Sequence, residues 1–240
     1  MADTQTTSAI TEITGRLTNR SVGKKFLMAA SGLILVLYII GHMLGNLQIF
    51  ISQDQINTYA ERLHSLGIVL WLVRVFLLSM LVVHVWMAIK LSLENYAARP
   101  IKYFKKNYVE APLSSRTMIW TGIGVFLFVV YHVMHFTMIV TNPEYAGLKD
   151  PIGRFDVYSM VILGFRNYFI SGVYIVAMAL VSYHLVHAAK SMFQTIGWND
   201  ASMEPTLQKV SVIFAWIIFI GFISIPVSVM AGWLTLPRGV

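Results

Sequence analysis

FLMAASGLILVLYIIGHMLGNLQIF, residues 26–50, runs for twenty-five residues without one charged side chain. At a rise of about 1.5 Å per residue such a helix is about 37 Å long, enough to cross a hydrocarbon core of about 30 Å with moderate tilt. Working outward, similar apolar runs fall at 67–91, 117–140, 165–189 and 210–233. The chain is 57% hydrophobic and 12% charged, where a soluble domain carries about 25% charged residues. The reading is all-α: an integral membrane bundle of five transmembrane helices.

The first run starts too late and is too long for the core of a secretory signal, so residues 1–25 are read as a cytoplasmic tail and 26–240 as one membrane domain. Lys and Arg collect in connections that stay inside. Arg16, Arg20, Lys24 and Lys25 precede the first run, and Lys90, Arg99, Lys102, Lys105, Lys106 and Arg116 surround the second connection. The first connection offers Arg62, and the third balances Lys149 and Arg154 against Glu144, Asp150 and Asp156. The N-terminus is therefore expected in the cytoplasm and the C-terminus outside. Topology alone accounts for the net charge of +7, and no nucleic-acid partner is expected; membrane lipid is the natural neighbour of the basic residues.

The chain has no cysteine, which excludes disulfides, thiolate-held clusters and covalent haem attachment. Of its seven histidines, six lie inside apolar runs, where an ionisable group marks function by default. Counting helical rise from the middle of each run, and reversing direction at every crossing, puts His42 and His132 at one level, about 6 Å outside the midplane. His84 falls about 7 Å and His184 about 10 Å toward the inside. The two levels are separated by about 13 Å or more. Two imidazoles at equal depth on different helices are what six-coordinate haem iron takes from a protein; a structural zinc site would gather its ligands at one place. His135 and His187 lie three residues beyond His132 and His184 and are alternatives to them. His132 and His184 are preferred because both follow a tyrosine and their depths match better. Gly41 and Gly45 flank His42 in a small-xxx-small pattern suited to close packing.

These residues make the chain similar to the cytochrome b membrane-anchor subunit of succinate:quinone oxidoreductases, in its single-subunit, five-helix, two-haem form. The strings that carry the resemblance are Ser-Val-Gly-Lys-Lys from Ser21, Gly-His-Met-Leu-Gly-Asn from Gly41, and Asn-Thr-Tyr-Ala-Glu-Arg-Leu-His-Ser-Leu-Gly from Asn57. Tyr-His-Val from Tyr131 and Tyr-His-Leu from Tyr183 complete the set. The resemblance implies His42 and His132 as ligands of an outer b-type haem iron and His84 and His184 of an inner one. It also implies a flavoprotein subunit with FAD and an iron-sulfur subunit on the cytoplasmic face of a bacterial inner membrane, with electrons passing to a quinone, menaquinone for the two-haem form. Related fumarate reductases use a glutamate two residues before the fourth-helix ligand; Ser182 stands there, which favours succinate oxidation over the reverse reaction.

Glu61, Arg62 and His64 beside the outer helix ends are candidates for an outer quinone site, and Ser21, Lys24 and Ser31 for an inner one. Arg74 and Arg166 near the outer level and Lys190 near the inner one are candidates for pairing with haem propionates. A haem subunit of another quinone-linked dehydrogenase, or a non-redox membrane protein using its histidines as hydrogen-bonding groups, are the rival readings.

Overall fold

The computed structural model describes residues 21–98, 113–197, 200 and 202–237. Residues 1–20, with Arg16 and Arg20, and the basic stretch 99–106 lie outside them. The chain order is α1 Ser21–Leu47, α2 Gln53–Ser65, α3 Ile68–Ala97, α4 Leu113–His132, α5 Val157–Arg166, α6 Tyr168–Ile196 and α7 Glu204–Met230. A π turn, Val133–Thr137, prolongs α4. Five spans are long and apolar enough to cross a membrane: Ser21–Phe50, Ile68–Ala97, Thr117–Thr137, Tyr168–Thr195 and Glu204–Met230. Among the described residues the only β pairing is an isolated bridge between Lys149 and Phe155.

None of the most apolar window of the second span is buried inside the protein, though its mean hydropathy is 2.4. Trp71, Leu72, Leu78, Val82 and Trp86 are all more than half exposed. An apolar surface that continuous is covered by hydrocarbon, not water. The protein is a multi-pass integral membrane protein with an all-helical fold. Within the bundle α1 packs on α3, α4 on α6, and α6 on α7.

Three expected boundaries move. α1 begins at Ser21, ahead of the apolar run, so Lys24 and Lys25 belong to the helix. The last helix starts at Glu204 and ends at Met230, short of Trp233. The fourth run is cut at Asn167, whose side chain accepts from the amides of Phe169 and Ile170 and starts α6 there. Residues 157–166 instead form a separate helix with six buried residues, among them Met160, Ile162 and Phe165. A local N-cap inside an apolar stretch stops one helix and begins another, which hydropathy does not register.

The end of the bundle holding α2 and α5, expected outside, is called the outer end. There Asn57 of α2, 0% exposed, donates to Asp156 at 3.0 Å and to Asp150 at 3.3 Å. Asp156 caps α5, accepting also from Gln53 at 2.8 Å and from the Ser159 amide and hydroxyl at 3.1 and 2.6 Å. Arg154 bridges Asp150 to Asp54 and Thr58. Every strong donor and acceptor in this buried set is answered, the condition under which a polar network adds rigidity.

Burial alone would push the Asp150 carboxyl up, yet hydrogen bonds from the Arg154 side chain and amide, from Asn57 and from the Ile152 amide prevail and hold it below the ordinary range. A depressed carboxyl contributes stability above its unfolded value of about 3.9 and loses it as pH falls through the folded value. Acidification below about pH 4 is therefore expected to lower the melting temperature of the intact chain more steeply than that of Asp150→Asn. Parallel melting curves across that range would contradict it.

Candidate functional site

Each of the first four spans contributes one histidine to a facing pair. His42 of α1 and His132 at the end of α4 have ring centroids 5.6 Å apart with planes at 83°. His84 of α3 and His184 of α6 are 6.4 Å apart with planes at 68°. Tyr174, which touches His132, and His184 share α6, and the helical rise between them puts the two pairs about 15 Å apart along the bundle.

A metal–imidazole bond is about 2 Å, and the ring centroid lies roughly 1 Å beyond the nitrogen, so two imidazoles that shared one metal ion would have centroids up to about 6 Å apart. Both pairs lie near that spacing. Among the described residues no group of three or more His, Asp or Glu converges on one point. Two imidazoles at each level are the protein donors that a haem iron would take, and the residues present are compatible with that group.

The imidazoles are held from neighbouring helices. His84 Nδ1 lies 3.2 Å from the Met28 carbonyl of α1; a carbonyl only accepts, so Nδ1 carries the proton and Nε2 keeps its lone pair. Ser31 donates to the Leu27 carbonyl at 2.7 Å, with its oxygen also 3.1 Å from the Met28 carbonyl, so this candidate residue lies one carbonyl away from His84. His184 Nδ1 lies 3.2 Å from Thr121 Oγ1 of α4. At the outer pair the Tyr174 hydroxyl of α6 is 3.4 Å from His132 Nδ1 and 2.9 Å from His135 Nδ1. Asn46 places its amide nitrogen 3.4 Å from both ring nitrogens of His42, over the ring.

Gly32 makes room for His84: a Cβ there would stand 3.1 Å from Cε1 and 3.3 Å from Nδ1. At Gly122 the same atom would meet His184 at an ordinary 3.5 Å. Gly32→Ala is expected to be the more destabilising of the two, by about 1–3 kcal/mol where His84 cannot shift to make room, and Gly122→Ala to be neutral or slightly stabilising because alanine favours a helix interior, as thermal unfolding of the two variants in detergent would report. Gly45 has its bare backbone against the Tyr59 ring, while a side chain at Gly41 would meet nothing within 4 Å.

His132, not His135, is the ring paired with His42, though His135 shares the Tyr174 hydroxyl with His132. His135 is 0% exposed, stacks on Phe136 at 4.0 Å, and its Nε2 has no hydrogen-bond partner among the described residues. The π turn that carries it is a recurrent mark of functional positions. Ile139 just beyond has φ +54°, a strained value for a β-branched residue. α5 lies over this end, and a Cβ on Gly164 would be 2.9 Å from the Phe136 ring and 3.3 Å from His135 Cε1. His187 Nδ1 and Ser182 Oγ are likewise buried without a partner among the described residues.

The other candidate residues scatter. Glu61, Arg62 and His64 are exposed on α2, with Glu61 3.9 Å from Arg154. Ser21 is exposed at the start of α1, and Lys24 is buried in an ion pair with Glu94 of α3. Arg74 lies over the Trp71 ring at 5.1 Å, Arg166 is exposed at the end of α5, and Lys190 pairs with Glu204 of α7. Thr121, Tyr174 and the Met28 carbonyl are the site groups that sequence reasoning missed; a hydroxyl in an apolar run is too ordinary a signal to single them out.

The fold and the histidine pairs define the class, an all-helical multi-pass membrane protein. No family model, no curated protein and no solved structure matches the chain.

Proposed function

We propose that this protein is a di-haem cytochrome b, the membrane anchor of a succinate:quinone oxidoreductase in a bacterial inner membrane. The observation that carries the reading is the presence of two facing histidine pairs, 5.6 and 6.4 Å apart, at two levels of one bundle. His42 and His132 hold the outer b-type haem and His84 and His184 the inner one, without covalent attachment, since the chain has no cysteine. Bound iron porphyrin supplies one-electron chemistry. The chain's own work is to fix the imidazoles, to surround them with apolar side chains that exclude water, and to carry a low-dielectric path across the membrane.

FAD and iron-sulfur partner subunits dock at the inner end and deliver electrons from succinate, and a quinone, menaquinone by the resemblance, takes them up within the membrane. Ser21, Lys24 and Ser31 on the inner side, and Glu61, Arg62 and His64 on the outer, remain the quinone candidates; Ser31, beside His84, is the best placed of them. Arg74, Arg166 and Lys190 are offered as propionate partners. The residue two before His184 is Ser182, not a carboxylate, which supports succinate oxidation as the working direction. Outward electron flow gains about 2.3 kcal/mol per 100 mV of inside-negative potential for a full crossing.

A reduced-minus-oxidised optical spectrum with a pyridine haem assay tests the reading directly: two b-type haems per chain are expected, and one or none overturns it. Co-purification of a flavoprotein with bound FAD distinguishes the succinate assignment from a nickel- or molybdenum-dependent dehydrogenase.

A further inference from the structure

The inner and outer ligands are braced across the bundle in a reciprocal way. Thr121 of α4, the helix that carries His132, touches His184 of α6; Tyr174 of α6 in turn touches His132. Thr121 is 6% exposed, and its Oγ1 is 3.0 Å from the Met118 carbonyl one turn earlier and 3.2 Å from His184 Nδ1. A hydroxyl has a single proton, and with that proton on the Met118 carbonyl, which only accepts, the oxygen is left to accept from the imidazole. His184 then presents Nε2 with a free lone pair, in the same tautomer that the Met28 carbonyl imposes on His84.

We infer that Thr121 is a positioning residue for the inner haem, holding His184 in the tautomer and ring orientation that lets Nε2 ligate iron. The inference rests on the di-haem reading. A hydrogen bond from the distal nitrogen of a metal-bound histidine fixes the ring and raises its basicity, and losing such a partner costs about 10- to 100-fold in metal affinity. Valine keeps the shape of threonine but accepts nothing, whereas serine keeps the oxygen.

The test is transfer of haem from the purified full-length chain in detergent to excess apo-globin, followed optically, in wild type, Thr121→Val and Thr121→Ser. In Thr121→Val one haem of the two is expected to leave about 10- to 100-fold faster, the other at the wild-type rate, with Thr121→Ser restoring the slow rate. In a His84→Ala background, which keeps only the outer pair intact, Thr121→Val should change nothing. Equal acceleration of both haems would mark Thr121 as merely structural and overturn the inference, as would unchanged release of both. A wild-type chain that holds two haems, with neither released faster from Thr121→Val, would sink the inference and leave the di-haem reading standing; a wild-type chain without haem would remove both.

Discussion

If the pairs hold haem as proposed, His184→Ala should leave one haem per chain in place of two. Removing that ring leaves His84 without its counterpart 6.4 Å away, so a haem at the inner pair would lose one of its two protein ligands. The outer pair, about 15 Å further along the bundle, shares no ligand with it. A pyridine haem assay on the purified variant is the measurement, and retention of both haems would refute the pairing. His135→Ala makes the complementary case. Its ring touches Phe136, Tyr131 and Tyr174 but is not paired with His42, so under the same proposal the variant should keep two haems while losing packing and the contact of His135 Nδ1 with the Tyr174 hydroxyl. Loss of a haem in His135→Ala together with retention in His132→Ala would exchange the roles of the two residues.

The second large effect is on stability. Asp156→Ala removes the acceptor of four hydrogen bonds, two of them from Ser159 and the others from Asn57 and Gln53. Asn57 and Ser159 are fully buried, so their donors have no water to turn to. Each buried donor left unsatisfied costs about 1–3 kcal/mol, and α5 loses its N-cap as well, worth about 1 kcal/mol. A destabilisation of about 3 kcal/mol or more is expected, read as a large drop in melting temperature in detergent, and a drop of only a degree or two would show that the network is dispensable.

Much of the fold is legible because hydropathy is a local property. Five spans and the two levels of histidine follow from runs of apolar residues and a fixed rise per residue, and no knowledge of neighbours is required. The separation of α5 from α6 is not legible in that way, because Val157 to Phe165 is as apolar as a span and only the Asn167 side chain, capping two amides, divides them. Depth also leaves the rotation of each helix open. His132 and His135 sit on nearly one face, and which of them meets His42 is decided by how α4 turns against α1. Thr121 and Tyr174 are harder still, since their importance lies in what stands opposite on another helix. The buried charges at 150, 154 and 156 read as an ordinary polar connection until Asn57, about a hundred residues earlier, is seen to fit among them.

That last fit has a consequence for how the chain is made. Asn57 has left the ribosome long before Asp156 exists, so the cover that α5 forms beside His135 cannot be set while the first three spans are entering the bilayer. Until the segment leading into the fourth span has been made, that end of the nascent bundle stands open, and its closure waits on the order of synthesis.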